Sequence, residues 1–212
     1  MLHLLKELRA PVRKMAEMSA VWDGGPVSLT TRGILLGTRI ASNLGWRPVE
    51  DLVTGDHVLT FDDGPQVIRH VRRHVLWDGR GECPRHLHPI RLFAGTCDLT
   101  RDVTVLPGQA VMIESDAAEA VTGDPFALVS ASALRGMQGA GRLHVDGPIE
   151  VVELFFETDE VVHAEGGLLL FCPALPDAVE REAGVYDIQS KEAAAVMVAT
   201  MTRHCLMRPM AA

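Results

Sequence analysis

Cys83-Pro84-Arg85-His86-Leu87-His88 brings metal-binding residue types close together. Cys83, His86 and His88 offer a thiolate and two imidazoles, and His74 or Cys97 would be a fourth ligand. Structural zinc sites usually carry their ligands as two pairs at regular spacing. This is one irregular cluster beside Pro and Gly, so a plain polar loop is the stronger reading and no cofactor is expected. Glu50-Asp51 and Asp62-Asp63 supply paired carboxylates, the residue type of general acid–base chemistry. Asp62-Asp63-Gly64 is first of all a hairpin turn. His57, directly after Gly55-Asp56, reads as a surface strand residue rather than a catalyst.

The elements that would position these residues read as short strands joined by turns. Residues 34–40 and 57–61 are rich in Val, Ile, Leu, Thr and Phe, which suit a pleated, half-buried surface. Gly45, Gly55 and Gly64 punctuate them as turns do in an all-β chain. Residues 29–40 are expected to form the first strand, and 47–52 a short turn or helical piece. Residues 66–77 read as a strand with Arg or His on both faces, hence a long ribbon or an edge. Residues 78–90 and 136–148 read as loops, and 150–156 as a strand. Both ends carry helical spacing. Leu4, Leu5, Leu8, Val12 and Met15 recur at intervals of three and four, with Pro11 ending or kinking the first piece near Ala10. Ala194, Met197, Val198, Met201 and Cys205 form a second stripe, with Ser190 as its N-cap and Arg203 and His204 in its last turn. The breaker cluster at 23–28 marks a boundary. The division is a helical arm over 1–26, a β domain over 27–176 and a helical tail over 177–212.

Gly37, Thr38, Ile40, Gly45, Pro48, Val49, Glu50, Leu52, Gly55, Asp56, Val58, Leu59, Thr60 and Asp62 keep a fixed spacing. That pattern resembles the opening block of the Hint (Hedgehog/intein) domain in its short bacterial form. Gln66, Ile68 and Arg69 fit the strand that follows the block. Residues 98–113 resemble the second block, and Leu154, Phe156, Val161, Ala164, Glu165 and Gly166 resemble the closing segment. The resemblance covers roughly residues 30–176. It implies a mainly β, horseshoe-shaped, all-β domain with helical extensions at both ends.

The resemblance also implies a chemistry. Active Hint domains carry out an acyl shift, in which a Cys or Ser at the head of the first block attacks its own preceding carbonyl. That step needs a nucleophile, a proton carrier and oxyanion donors. Four residues before the Gly37-Thr38 pair, the nucleophile position falls on Gly33, which has no side chain. Matching Leu106-Pro107-Gly108 to the second block puts Gln109 where a His belongs, and Gln shuttles no proton near neutral pH. The register of Ala164-Glu165-Gly166 puts Asp159 at a third His position. Thr31, two residues upstream of Gly33, is the substitute nucleophile under a slipped register.

Composition narrows the function classes. The 212 residues carry a net charge of −8. The first twenty hold a local +2 in Lys6, Arg9, Arg13 and Lys14 against Glu7 and Glu17, which leaves −10 for the rest. An acidic body repels phosphate backbones, so nucleic acid is not the expected partner. No apolar run has the length of a membrane span. Four scattered cysteines and no signal-like segment point to a reduced, cytoplasmic setting. The leading expectation is a Hint-like domain without catalysis, serving as a structural or protein-interaction module. Its expected contacts are to another protein or a second copy, through Leu4, Leu5, Leu8 and Val12 at one end and Met197 and Met201 at the other. The alternatives are autoprocessing through a non-standard nucleophile and a metal-binding regulatory module.

Overall fold

A computed structural model describes residues 31–175 and 186–207, the last five of these by backbone only. The expected arm, with Leu4, Leu5, Leu8 and Val12, lies outside the described residues. Fourteen strands and two α-helices are described: β1 Ile34–Leu35, β2 Arg39–Ser42, β3 Gly45–Pro48, β4 His57–Thr60, β5 Gly64–Val67, β6 His70–Trp77, β7 Ile90–Leu92, β8 Val103–Val105, β9 Ala110–Glu114, α1 Asp116–Thr122, β10 Phe126–Ser130, β11 Ala140–Arg142, β12 Ile149–Phe155, β13 Glu160–His163, β14 Leu169–Cys172 and α2 Lys191–Met207. They form three sheets. The largest has the order β10-β9-β14-β13-β4-β2-β3, with β5 on β4; the others are β1-β12-β6 and β11-β7-β8.

Side-chain pattern explains each strand's place. β12 lies between two neighbours, and Val151, Val152, Leu154 and Phe155 are buried along it as a nearly continuous apolar run. β4 alternates, with Val58 and Thr60 buried and His57 and Leu59 outward. The expected single strand over 29–40 is divided into β1 and β2 by a turn at Leu36–Thr38, where Thr38 N donates to Leu35 O. The ribbon over 66–77 is likewise two strands, β5 and β6, and β6 is an edge among the described residues. β11 falls inside the expected loop over 136–148.

The residues that carried the resemblance hold these pieces together. The Glu50 carboxylate accepts from Gly37 N at 2.9 and 3.1 Å, and Val49 N donates to Thr38 O, so the turn after Pro48 is tied to the β1–β2 turn. Asp56 Oδ2 accepts from Val53 N and Arg47 Nη1, both at 2.9 Å, while Gly55 N donates to Ile68 O. Ala164 bridges to Ile40, Glu165 pairs with Arg101 at 2.7 Å, and Gly166 O accepts from Thr100 N.

α1 falls on 114–124, a stretch to which the sequence assigns no element. Ser115 caps it by accepting from Ala118 N, and Gly123 closes it with φ +83°. α2 begins where expected, with Ser190 Oγ accepting from Ala193 N. The packing overturns the assignment of Met197 to a partner. Met197 is fully buried and Met201 packs partly buried against the same core, beside Ala117, Ala118 and Leu134. Met197 therefore offers no surface to a partner, because the domain's own helix α1 and the 3-10 turn Ala131–Gly136 already cover the stripe.

Candidate functional site

Gly33 precedes β1, and the turn Leu106–Gln109 links β8 to β9; the fold brings these two segments together. Gln109 is buried and all of its amide is used. Its Oε1 accepts from Gly33 N at 3.1 Å, and its Nε2 donates to Phe171 O at 2.8 Å and Ala110 O at 3.0 Å. Gly33 N is only a donor, which fixes the oxygen of the amide towards it. One residue back in the turn, Gly108 N donates to Thr31 O at 3.1 Å. The two bonds grip the chain on either side of Arg32, across the peptide bond at which the family's chemistry would begin.

Space demands Gly108, and backbone conformation demands Gly33. A Cβ on Gly108 would run into the Thr31 side chain and lie 2.9 Å from Thr31 O. Gly33 has φ +117°, a conformation that L side chains rarely adopt, and a Cβ there would stand 3.1 Å from Val151 Cβ. The position is shaped for a residue without a side chain.

A small cavity of about 30 Å³ lies against Arg32, Gly33, Gln109, Glu153 and Cys172. It has room for one water. Glu153 is buried on β12 opposite Arg72 on β6 and pairs with its Nη2 at 2.5 Å and Nε at 2.6 Å. His74 Nδ1 stands 3.7 Å from the same carboxylate. Burial holds the Arg32 guanidinium below its ordinary range; Glu153 opposes that shift and Arg72 adds to it. The Cys172 thiol is pushed far upward by burial, with Glu153 and Glu160 reinforcing it. Cys172 is therefore a core thiol rather than a thiolate nucleophile.

Of the three sequence-assigned positions, the structure joins Gly33 and Gln109 and sets Asp159 apart. Asp159 does not line the cavity, and its Oδ1 accepts from Ala174 N at 2.9 Å after β14. Thr31 is buried against Gly108. The residues that sequence reasoning did not assign to the site are Arg32, Glu153, Phe171 and Cys172. Glu153 had a signal, a lone charge inside the apolar run of 151–156. Phe171 enters through its carbonyl, which residue type does not reveal.

The remaining candidates lie elsewhere. His88 Nε2 contacts the Cys83 carbonyl at 3.1 Å, the buried Cys83 thiol faces Pro84 O at 3.7 Å, and His86 is exposed. Among the described residues no three His, Cys, Asp or Glu side chains are placed to hold a metal ion. A wider cleft of about 690 Å³ runs between β1 and β8, with Asp102, Glu150 and Glu165 at its margin, and includes none of Gly33, Gln109 and Asp159. No helix among the described residues is long and apolar enough to cross a membrane.

Among solved structures, the chain is similar to the bacterial intein-like domain from Clostridium thermocellum, at 13% identity over 66% of this chain and 98% of that one, with a TM-score of 0.46. It is similar to the MchDnaB-1 intein at 14% identity, over 65% and 98% of the two chains, with a TM-score of 0.39. It is similar to the gp41-1 intein at 10% identity, over 66% and 97%, with a TM-score of 0.42. Among curated protein sequences none matches. A Hint domain family model matches residues 33–169, well over half of the sequence, and the chain belongs to the Hint domain family.

Proposed function

We propose that this Hint domain holds the segment in front of it without cutting it, and acts as a structural and protein-interaction module in a reducing, cytoplasmic setting. One observation carries the reading: Gly33 N is fixed by the Gln109 amide at a position whose φ of +117° L side chains rarely adopt, with Val151 in tight contact with any added Cβ. An acyl shift there has no attacking atom on Gly33. Gln109, with Oε1 and Nε2 both engaged, supplies a clamp in place of a proton carrier. Cys172, kept protonated by burial, does not replace the nucleophile.

With Met197 buried and Met201 partly covered by the same core, the contact residues proposed are Leu4, Leu5, Leu8 and Val12 of the arm, facing another protein or a second copy. Immobilised full-length protein, compared with its L4D/L8D variant in extract of the native organism, tests this. A partner identified by mass spectrometry should bind the first and be lost from the second. Equal recovery from both contradicts the arm as the contact element.

A further inference from the structure

The wider cleft of about 690 Å³ between β1 and β8 lies apart from Gly33 and Gln109, and its walls are strand edges. A strand shows every second residue to a cleft that lies on its face. Here Asp102, Val103 and Thr104 line the cleft in succession, as do residues 35–38 of β1 and the turn after it. The cleft therefore meets the backbone margins of both segments. Among the described residues β1 pairs only with β12, and β8 only with β7, so each has one margin without a neighbouring strand. The two segments are pinned together where Gly108 N donates to Thr31 O. Beyond that point no backbone hydrogen bond among the described residues joins 34–38 to 102–105. An open margin of this kind is a template for an added strand.

The rest of the lining selects what that strand carries. Leu35, Leu36, Val103, Val145 and Ile149 make much of it apolar, and Leu36 is 42% exposed. The charged residues that line the cleft are all carboxylates: Asp102, Glu150 and Glu165. Two of the three are already engaged. Asp102 accepts from Arg91 Nη2 at 2.8 Å and from Ala94 N at 3.0 Å. Glu165 accepts from Arg101 Nη1 at 2.7 Å and from Arg39 N at 3.4 Å. Glu150 is exposed, and its carboxylate has no hydrogen-bond or ion-pair partner among the described residues. It is the group left to receive a cation.

We propose that this cleft binds an extended segment of another protein as an added strand. The segment places an aliphatic side chain against Leu35, Val145 and Ile149, and a lysine or arginine within two residues of it pairs with Glu150. The open margins supply main-chain hydrogen bonds to any sequence, and the apolar lining and Glu150 supply the choice among sequences. An acidic segment meets three carboxylates and is rejected. The site is separate from the contact assigned to the arm and does not rest on it.

A library of random seven-residue peptides displayed on phage, panned on immobilised full-length protein, tests the site. The selected peptides should share an aliphatic residue with Lys or Arg one or two positions away. A synthetic peptide of that consensus should shift the backbone amide signals of residues 35–38 and 102–104 in 15N-labelled protein. E150K should weaken its binding at least tenfold. Panning on E150K should select Asp or Glu at the basic position, which also shows that the variant is folded. Absence of a consensus, a consensus unchanged by E150K, or shifts confined to other residues would overturn the site. A consensus that matches a segment of this chain would overturn a separate partner in favour of self-occupation. Failure of the arm as a contact element is seen separately, as equal partner recovery from wild type and L4D/L8D.

Discussion

Gln109 carries more of the site than its type announces. A buried amide that serves one donor and two acceptors leaves all three unsatisfied when it is replaced by a hydrocarbon. Gln109→Leu is expected to lower the unfolding free energy by roughly 2–4 kcal/mol, read from urea denaturation. Gly33→Ala should cost about 1–3 kcal/mol from the strained backbone alone, measured the same way; a neutral result would mean that φ at residue 33 is not fixed as described. These two residues were legible because they sit in motifs with fixed spacing, four residues before Gly37-Thr38 and just after Leu106-Pro107-Gly108. Asp159 was placed by counting back from Ala164. That count runs back along β13 and ends just before the strand, where Asp159 accepts from Ala174 N and lies away from the cavity.

At the scale of elements, periodicity gave the apolar face of α2 and left open what covers it. The same stripe of Ala194, Met197 and Val198 would serve a partner or the domain's own core, and the packing on α1 and the Ala131–Gly136 turn decides for the core. Met197→Ala should therefore cost about 2–5 kcal/mol of stability, while Val196→Ala, at a 55% exposed position on the same helix, should stay within about 0.5 kcal/mol. Equal effects in thermal or urea unfolding would contradict the assignment. α1 itself escaped sequence reading because its buried residues are Ala117 and Ala118, too small to make a visible stripe. The division of 29–40 into two strands was hidden for a related reason: a turn between two apolar runs leaves both runs β-like in composition.

At the scale of the whole molecule, the fold class was legible because turns and alternating strands recur along the length, whereas the contact between the first and second blocks is a tertiary fact. Acid response is a property of that assembled core. Glu160 is buried on β13, and burial raises its carboxyl above the ordinary 4.5; Asp62 and Asp63 add to the shift, and hydrogen bonds from Thr158 and Thr60 oppose it. A carboxyl whose value is higher in the folded than in the unfolded chain stabilises the fold when protonated. That contribution is complete below pH 4.5 and is lost as pH rises through the raised value. Glu160→Gln should accordingly be more stable than wild type at neutral pH, with the difference vanishing below pH 4.5; a difference that grows in acid would contradict the direction. The central claim is that the chain stays whole at Arg32–Gly33, and intact mass after incubation of the purified protein with hydroxylamine tests it most directly. The account predicts a single species at the full 23.0 kDa. Fragments that meet between Thr30 and Gly33, released by hydroxylamine from an ester or thioester, would contradict it.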